Sequence, residues 1–355
     1  MDFLEIIETL HGKKVFVTGH TGFKGSWLTL WLRELGAEVA GFALDPLQAN
    51  DHFNLLGLHE VMRDTRGDIR DAATLHSALN SFEPEVVFHL AAQPLVRRSY
   101  SEPKLTFDTN VGGSVNLLEA IRKTPSVRAL VYVTSDKCYR NKEWIWGYRE
   151  SDELGGYDPY SASKAAAELV FSSYLQSFFH SRENFGAASV RAGNVIGGGD
   201  WSENRIIPDC IKALSAGQPI TLRNPQATRP WQHVLDPLAG YIFLAARLLQ
   251  EPKRFSCSWN FGPGSDASHP VIKVAEQIVR LWGSGNIEVT PDATAPKEAG
   301  LLHLNCDKAH LQLGWHPHWT FERAIAETTA WYKDFFENKP AIEISRRQIQ
   351  QFLQP

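Results

Sequence analysis

Cysteine is scarce in this chain. Four occur among 355 residues, Cys138, Cys210, Cys257 and Cys306, far apart and with no CxxC pair. That spacing excludes a disulfide framework and argues against a zinc site, so no metal is expected. Excess basic charge is lacking too: 36 Lys plus Arg stand against 40 Asp plus Glu, for a formal net charge of -4. Nothing in that balance favours nucleic acid or an anionic membrane surface, and an anionic substrate would need locally placed cations. Apolar runs are short, none approaching the ~20 residues needed to span a bilayer. The opening segment, MDFLEIIETLHGKK, is amphipathic and acidic, without the basic start and apolar run of a signal peptide. A cytoplasmic protein without nucleic-acid or membrane partners is the expectation.

Apolar residues, by contrast, make up 43% of the chain, enough for large cores, and the length fits two closely joined domains. Lys13–Thr18, Glu38–Leu44, Glu85–Ala92, Ala129–Ser135 and Ala187–Arg191 read as buried strands. Helical patterns fall between them, over Lys24–Leu35, Asn110–Lys123 and Tyr160–His180. Such alternation predicts an α/β protein of Rossmann type, a doubly wound parallel sheet with helices on both faces. From about Gly197 glycine, proline and tryptophan become frequent and the alternation breaks up. This part reads as a smaller C-terminal domain interleaved with the first.

The first strand runs into Gly19-His20-Thr21-Gly22-Phe23-Lys24-Gly25, with glycines spaced GxxGxxG before a helix. Glycines let the backbone turn tightly and approach a pyrophosphate, and a helix N-terminus offers free N–H groups and a positive dipole end. The blander reading is a tight strand–helix turn. Its place at the first βα junction favours a dinucleotide. An acidic residue about 20 residues on should hold the adenosine ribose. Asp45 is the candidate, although it falls about two residues late and could only start the loop. It would repel the extra phosphate of NADP, and no Arg or Lys follows closely, which favours NAD. Asp68 and Ile69, after a third short strand, could instead hold the adenine edge.

Tyr160 and Lys164 form a YxxxK pair on one helix face. A tyrosine near pKa 10 is a poor base at neutral pH; a nearby ammonium and an oxidised nicotinamide would favour its phenolate. By itself the pattern also fits a solvated helix face. It follows a strand that ends in Thr134-Ser135-Asp136-Lys137, and the ends of parallel strands face the crevice where ligands bind. There Thr134 can hydrogen-bond a sugar hydroxyl, Asp136 can serve as an acid, and Lys137 as acid or base. A capped, solvated turn is the plain alternative.

GHTGFKG, HLAAQ (His89–Gln93), TSDK, YSASK and RAGNVIGGGD (Arg191–Asp200) occur in this order. Together they resemble the extended short-chain dehydrogenase/reductases, and within them the sugar-nucleotide 4,6-dehydratases. The likeness covers roughly residues 13–335 and extends to Asn260-Phe261-Gly262 and Leu313-Gly314-Trp315-His316-Pro317. Most members place a glutamate where Lys137 stands. Lysine there, with GFALDP and RPWQHV (Arg229–Val234), is similar to the branch that acts on CDP-linked glucose.

The resemblance implies a hydro-lyase with NAD as a recycled cofactor. It would convert CDP-D-glucose to the 4-keto-6-deoxy sugar and water, in deoxysugar synthesis for O-antigen lipopolysaccharide. Thr134, Tyr160 and Lys164 would act on the 4-hydroxyl, Asp136 on the leaving 6-hydroxyl, and Lys137 on the C5 proton, unless Lys137 only anchors a ligand oxygen. The cofactor would lie along Gly19 and Thr21–Gly25, along Leu90, Ala91, Ala92 and Gln93, and beside Thr109. Ser135, Asn194, Arg229 and, more weakly, Arg205 would meet the substrate; an arginine fork suits phosphate oxygens. His233 would touch the diphosphate or pack on Trp231. Residues 1–195, with 234–262 added back, would bind NAD; 196–233 and 263–355 would bind the nucleotide sugar. A homodimer or dimer of dimers would pair the helices over Asn110–Lys123 and Tyr160–His180, with Phe171, Tyr174, Phe178 and Phe179 as apolar surface unless they face inward. The alternatives are another nucleotide-sugar dehydratase or a 4-epimerase of this fold, which lacks the Asp–Lys pair, or a non-catalytic dinucleotide sensor.

Overall fold

The computed structural model describes residues 7–264, 267–290 and 301–354. The first six residues of the opening segment, with 265–266, 291–300 and 355 of the expected second domain, lie outside the described residues. Seven strands form one sheet, all neighbours parallel. They are β1 (Lys14–Thr18), β2 (Glu38–Ala43), β3 (Arg63–Arg66), β4 (Val86–His89), β5 (Ala129–Val133), β6 (Gly186–Ala192) and β7 (Ser258–Phe261). Their spatial order is β7-β6-β5-β4-β1-β2-β3. The order reverses at β1 and β4, so the crevice beyond their C-terminal ends is the expected ligand site of such a sheet.

Period-two alternation divides the core. Along β1, Val15 and Val17 belong to one apolar cluster and Phe16 to another. The first cluster lies under α1 (Phe23–Glu34). The second lies under α2 (Ala72–Phe82), α3 (Gly113–Arg122) and α4 (Pro159–Tyr174). Each fully buried aliphatic or aromatic side chain is worth about 1.5–3 kcal/mol, so a sheet covered on both faces needs no other clamp.

Beyond β6 the chain forms α5 (Ile206–Ser215), then α6 (Leu235–Gln250), which is buried along nearly its whole length and packs on β5 and β6 before leading to β7. Small strand pairs join 195–196 to 232–233, 228–230 to 268–270 and 220–222 to 287–289. Helices α7 (Val271–Trp282) and α8 (Phe321–Phe336) pack together, and α9 (Ala341–Phe352) returns to lie against α1. Ser345 on α9 accepts the Trp331 indole N–H at 2.9 Å and meets buried His52 at 3.0 Å. The C-terminal helix therefore ties both parts of the chain together.

Two expected helices differ in detail. The one over Asn110–Lys123 begins as a π turn at Asp108–Gly112, and the one over Tyr160–His180 ends in a π turn at Leu175–Phe179. Phe171 and Phe179 prove to be core residues: Phe171 stacks on Tyr132 at 5.1 Å and Phe179 meets Phe185 at 4.7 Å. Of the four aromatics read as subunit surface, Phe178 is the exposed one.

Candidate active site

The glycine loop is shaped by close approach. Gly19 has φ +76°, and a Cβ there would sit 2.6 Å from Ala91 N; at Gly25 it would sit 2.0 Å from the Gly19 carbonyl oxygen. Gly22 begins α1 without a capping side chain, which leaves first-turn N–H groups for a ligand. Such a cradle, closed to any side chain, fits a pyrophosphate. Thr21 ties the loop to β2 by donating its hydroxyl to the Leu44 carbonyl at 3.0 Å. Phe23 adds apolar packing to the cluster under α1.

At the adenosine end Asp45 is exposed, 3.7 Å from Arg66. No Arg or Lys follows Asp45 closely in the sequence, but Arg66 stands beside it in space. Arg66 comes from β3, a neighbour in space and not in sequence. Asp64 also takes a 2.7 Å bond from Arg66, and it shares a 2.8 Å bond with buried His20. Two carboxylates thus balance that guanidinium. Asp68 is paired with Arg70 at 2.5 Å, and Ile69 is buried, its carbonyl held by Asn116 at 3.1 Å. Leu90, Ala91 and Ala92 lie half-buried at the end of β4. Gln93 is occupied by its own loop: its amide donates to Leu95 O and Thr106 Oγ1 and accepts from Leu95 N. Thr109 is half-buried in the π turn before α3.

Asp158 caps α4, accepting from Ser161 N at 2.9 Å, and Pro159 opens the helix. That start puts Tyr160 and Lys164 on one face, both nearly buried. Burial pushes the Tyr160 phenol up to about 12; a hydrogen bond with Ser135 and the Arg205 charge oppose this, while Asp136 adds to it. Arg205 is thus a second cation, beside Lys164 on the same helix face, that bears on Tyr160. Burial also takes Lys164 down to about 8, opposed by Cys138 and Glu168. Lys24, from the glycine loop, falls to about 8 through burial and the nearby Arg205 and Lys164 charges, while Asp136 works to raise it. The side chain of Lys24 thus belongs to the reacting end of the cleft.

Thr134 and Ser135 take opposite sides of the strand end. Successive strand residues face opposite ways. The Thr134 hydroxyl donates to buried Glu168, beneath the strand end. Ser135 works against the burial of the Tyr160 phenol and donates to Asp136 Oδ1 at 2.9 Å. Burial raises the Asp136 carboxyl above its ordinary value, against Lys137, Ser135, Lys24 and Arg229. A Cβ on Gly193 would sit 2.8 Å from Asp136 Oδ2, so the segment before Asn194 closes over the acid. Lys137 is half-buried beside it, its backbone N–H donating to Ser135 Oγ at 3.2 Å.

Among the expected substrate residues, Asn194 is half-buried and its carbonyl accepts from Gln232 N at 3.3 Å. Arg205, at the start of α5, turns back to Asp200 at 2.9 Å, and its charge reaches Tyr160 and Lys24. Arg229 is nearly buried and acts on Asp136. His233 is a correction: it is wholly buried, its ring 4.6 Å from Trp319 and 6.2 Å from Trp27, and burial holds it neutral, down to about 3. It packs, on partners other than Trp231.

Residues 16–328 match the family model described as GDP-mannose 4,6 dehydratase. The chain is 48% identical over 346 residues to CDP-glucose 4,6-dehydratase of Salmonella typhimurium, with 96% of each chain covered. It is similar to the structure of Thermus thermophilus UDP-glucose 4-epimerase in complex with NAD, with a TM-score of 0.75 and 27% identity, over 90% of this chain and 99% of that one. Its fold is also that of dTDP-glucose 4,6-dehydratase from Bacillus anthracis, with a TM-score of 0.76 and 24% identity, over 92% and 98% of the two chains. The chain therefore belongs to the GDP-mannose 4,6 dehydratase family, a branch of the extended short-chain dehydrogenase/reductases.

Proposed function

We propose that this chain is a hydro-lyase converting CDP-D-glucose to CDP-4-keto-6-deoxy-D-glucose and water, with NAD restored in each turnover. One observation carries the reading. A buried carboxyl held above its ordinary value, Asp136, accepts a hydrogen bond from Ser135 and acts electrostatically on Tyr160 and on Lys24 of the glycine loop. A 4-epimerase needs the tyrosine but has no use for an acid–base pair such as Asp136 and Lys137. The 48% identity to the Salmonella CDP-glucose enzyme supports the nucleotide.

The backbone from Gly19 to Gly25 would hold the NAD pyrophosphate, Asp45 or Asp68 and Ile69 the adenosine, and Lys164 the nicotinamide ribose. NAD held there would supply the acceptor for the C4 hydride and the donor that gives it to C6. Tyr160 accepts the proton of the 4-hydroxyl, which Ser135 helps to hold. The 4-keto group makes the C5 proton acidic, and Lys137 removes it. Asp136, raised above its ordinary value by burial, gives its proton to the departing 6-hydroxyl, and water leaves. Lys137 then returns its proton to C5. Arg229 and Asn194 face the diphosphate; Arg205 serves the reacting end. Residues 1–195 with 234–262 form the NAD part, and 196–233 with 263–355 the sugar-nucleotide part. Four unpaired thiols fit the cytoplasm, and the product class fits deoxysugar supply for lipopolysaccharide.

A panel of CDP-, dTDP-, GDP- and UDP-glucose with NAD tests this, read by the absorbance of the 4-keto sugar in alkali. CDP-glucose should be the preferred substrate. Faster turnover of another nucleotide would move the substrate assignment, and a 4-epimer without keto product would replace the reaction.

A dimer is also proposed. Tyr100 and Phe107, on segments packed against α4, are exposed, as are Leu169 on α4 and Phe178 just beyond it. Light scattering at micromolar concentration should give at least twice the chain mass. A monomer mass would reject the pairing.

A further inference from the structure

Glu168 stands one helical turn beyond Lys164, in the series Tyr160, Lys164, Glu168 along one face of α4. It is 2% exposed and bonded on every side. Arg191 on β6 reaches it with Nη2 at 2.7 Å and Nε at 2.9 Å. Ser189 donates to it at 2.8 Å, and Thr134 donates from the end of β5. Arg191 is itself held: its Nη1 donates to Tyr139 Oη at 2.7 Å and to the Glu150 carbonyl at 3.0 Å. Burial works to raise Glu168, but Arg191 and these donors outweigh it and keep the carboxyl below its ordinary value, hence ionised.

A buried ion pair is weak evidence for stability, because desolvation offsets most of its attraction. Its position suggests another use. We propose that Glu168, fixed by Arg191, is a positioning residue that keeps the Lys164 ammonium charged and in place beneath the reacting end of the cleft. This rests on the proposed role of Lys164. The other groups facing Lys164 do not supply an anion that is fixed in this way. Cys138 lies on the turn after β5, with its thiol held protonated by burial. Lys24 from the glycine loop is a like charge, and His89 at the end of β4 is held neutral by burial. Next to Lys164, Ser163 meets only neutral groups, accepting from the Asn110 amide at 2.9 Å and donating to the Tyr160 carbonyl at 2.7 Å. Glu168 is thus the fixed negative charge that offsets the burial of the lysine.

The test is the pH profile of kcat/KM. Losing the Glu168 charge makes Lys164 easier to deprotonate, so the basic limb should move toward lower pH by about one unit in Glu168→Gln, as expected for removal of a neighbouring opposite charge. Glu168→Asp, which keeps the charge, should lose rate but keep the limb. Should Glu168→Gln not fold, the double variant Glu168→Gln with Arg191→Met replaces the pair as a unit and should move the limb likewise. A slower enzyme with an unmoved limb would overturn this inference alone. A Lys164→Met enzyme with wild-type turnover would instead overturn the functional reading and this inference with it.

Discussion

Tyr160→Phe should lower turnover of CDP-glucose by about 10³-fold, within the range for loss of a general base, while NAD affinity stays close to wild type. The ring remains and only the oxygen goes. Ser135 keeps its 2.9 Å bond to Asp136, so no buried group is orphaned, and the stability cost should stay near that of one hydrogen bond, about 1 kcal/mol. Nothing in the glycine cradle touches the lost atom, which is why binding and chemistry should separate. Steady-state rates and a titration of intrinsic fluorescence with NAD measure the two. Near wild-type turnover would place the base elsewhere. Ser135→Ala and Thr134→Ala then distinguish the two hydroxyls: the first should slow oxidation at C4 directly, whereas the second acts only through Glu168.

Much of this could be read from the sequence because the signals were local. β1 and β2 matched their apolar runs to within a residue at each end, and the loop between β1 and α1 announced itself by three glycines. Tyr160 and Lys164 were legible as an i, i+4 pair on a helix. What stayed hidden depends on which face a side chain takes or which strand lies alongside. Thr134 and Ser135 are adjacent hydroxyls, and only the pleat decides which enters the cleft; the side chain under the strand went to Glu168. Arg66 is 21 residues from Asp45 in sequence yet 3.7 Å away across the β2–β3 pair. Arg205 was read for phosphate, but Asp200 turns it toward Tyr160. His233 follows a tryptophan in the sequence but is enclosed by Trp27 of α1 and Trp319 just before α8, both remote in the chain. Glu168 had a signal in hindsight, the third member of a series spaced by four, but a lone glutamate on a helix usually marks a solvated face.

Lys137→Ala should leave oxidation at C4 intact and stop elimination, so that 4-ketoglucose retaining its 6-hydroxyl stays on the enzyme in place of the 6-deoxy product. Tyr160, Ser135 and Lys164 are untouched by the change. Asp136 also survives as an acid. Lys137 is one of the charges that work against its protonation, so removing that charge moves the carboxyl further above its ordinary value. Only the base is lost, and overall turnover should fall by about 10²–10⁴. Exchange of the C5 hydrogen with deuterated water, measured at saturating CDP-glucose, should fall by the same factor. An anchoring role predicts a different pattern: KM rises, while C5 exchange in the bound complex continues at its old rate. Mass spectrometry of the quenched sugar separates these outcomes. If exchange persists, the base is not Lys137, and the next candidate is Lys24, whose charge acts on the same carboxyl from the glycine loop and which is already brought down to about 8 by burial and by Arg205.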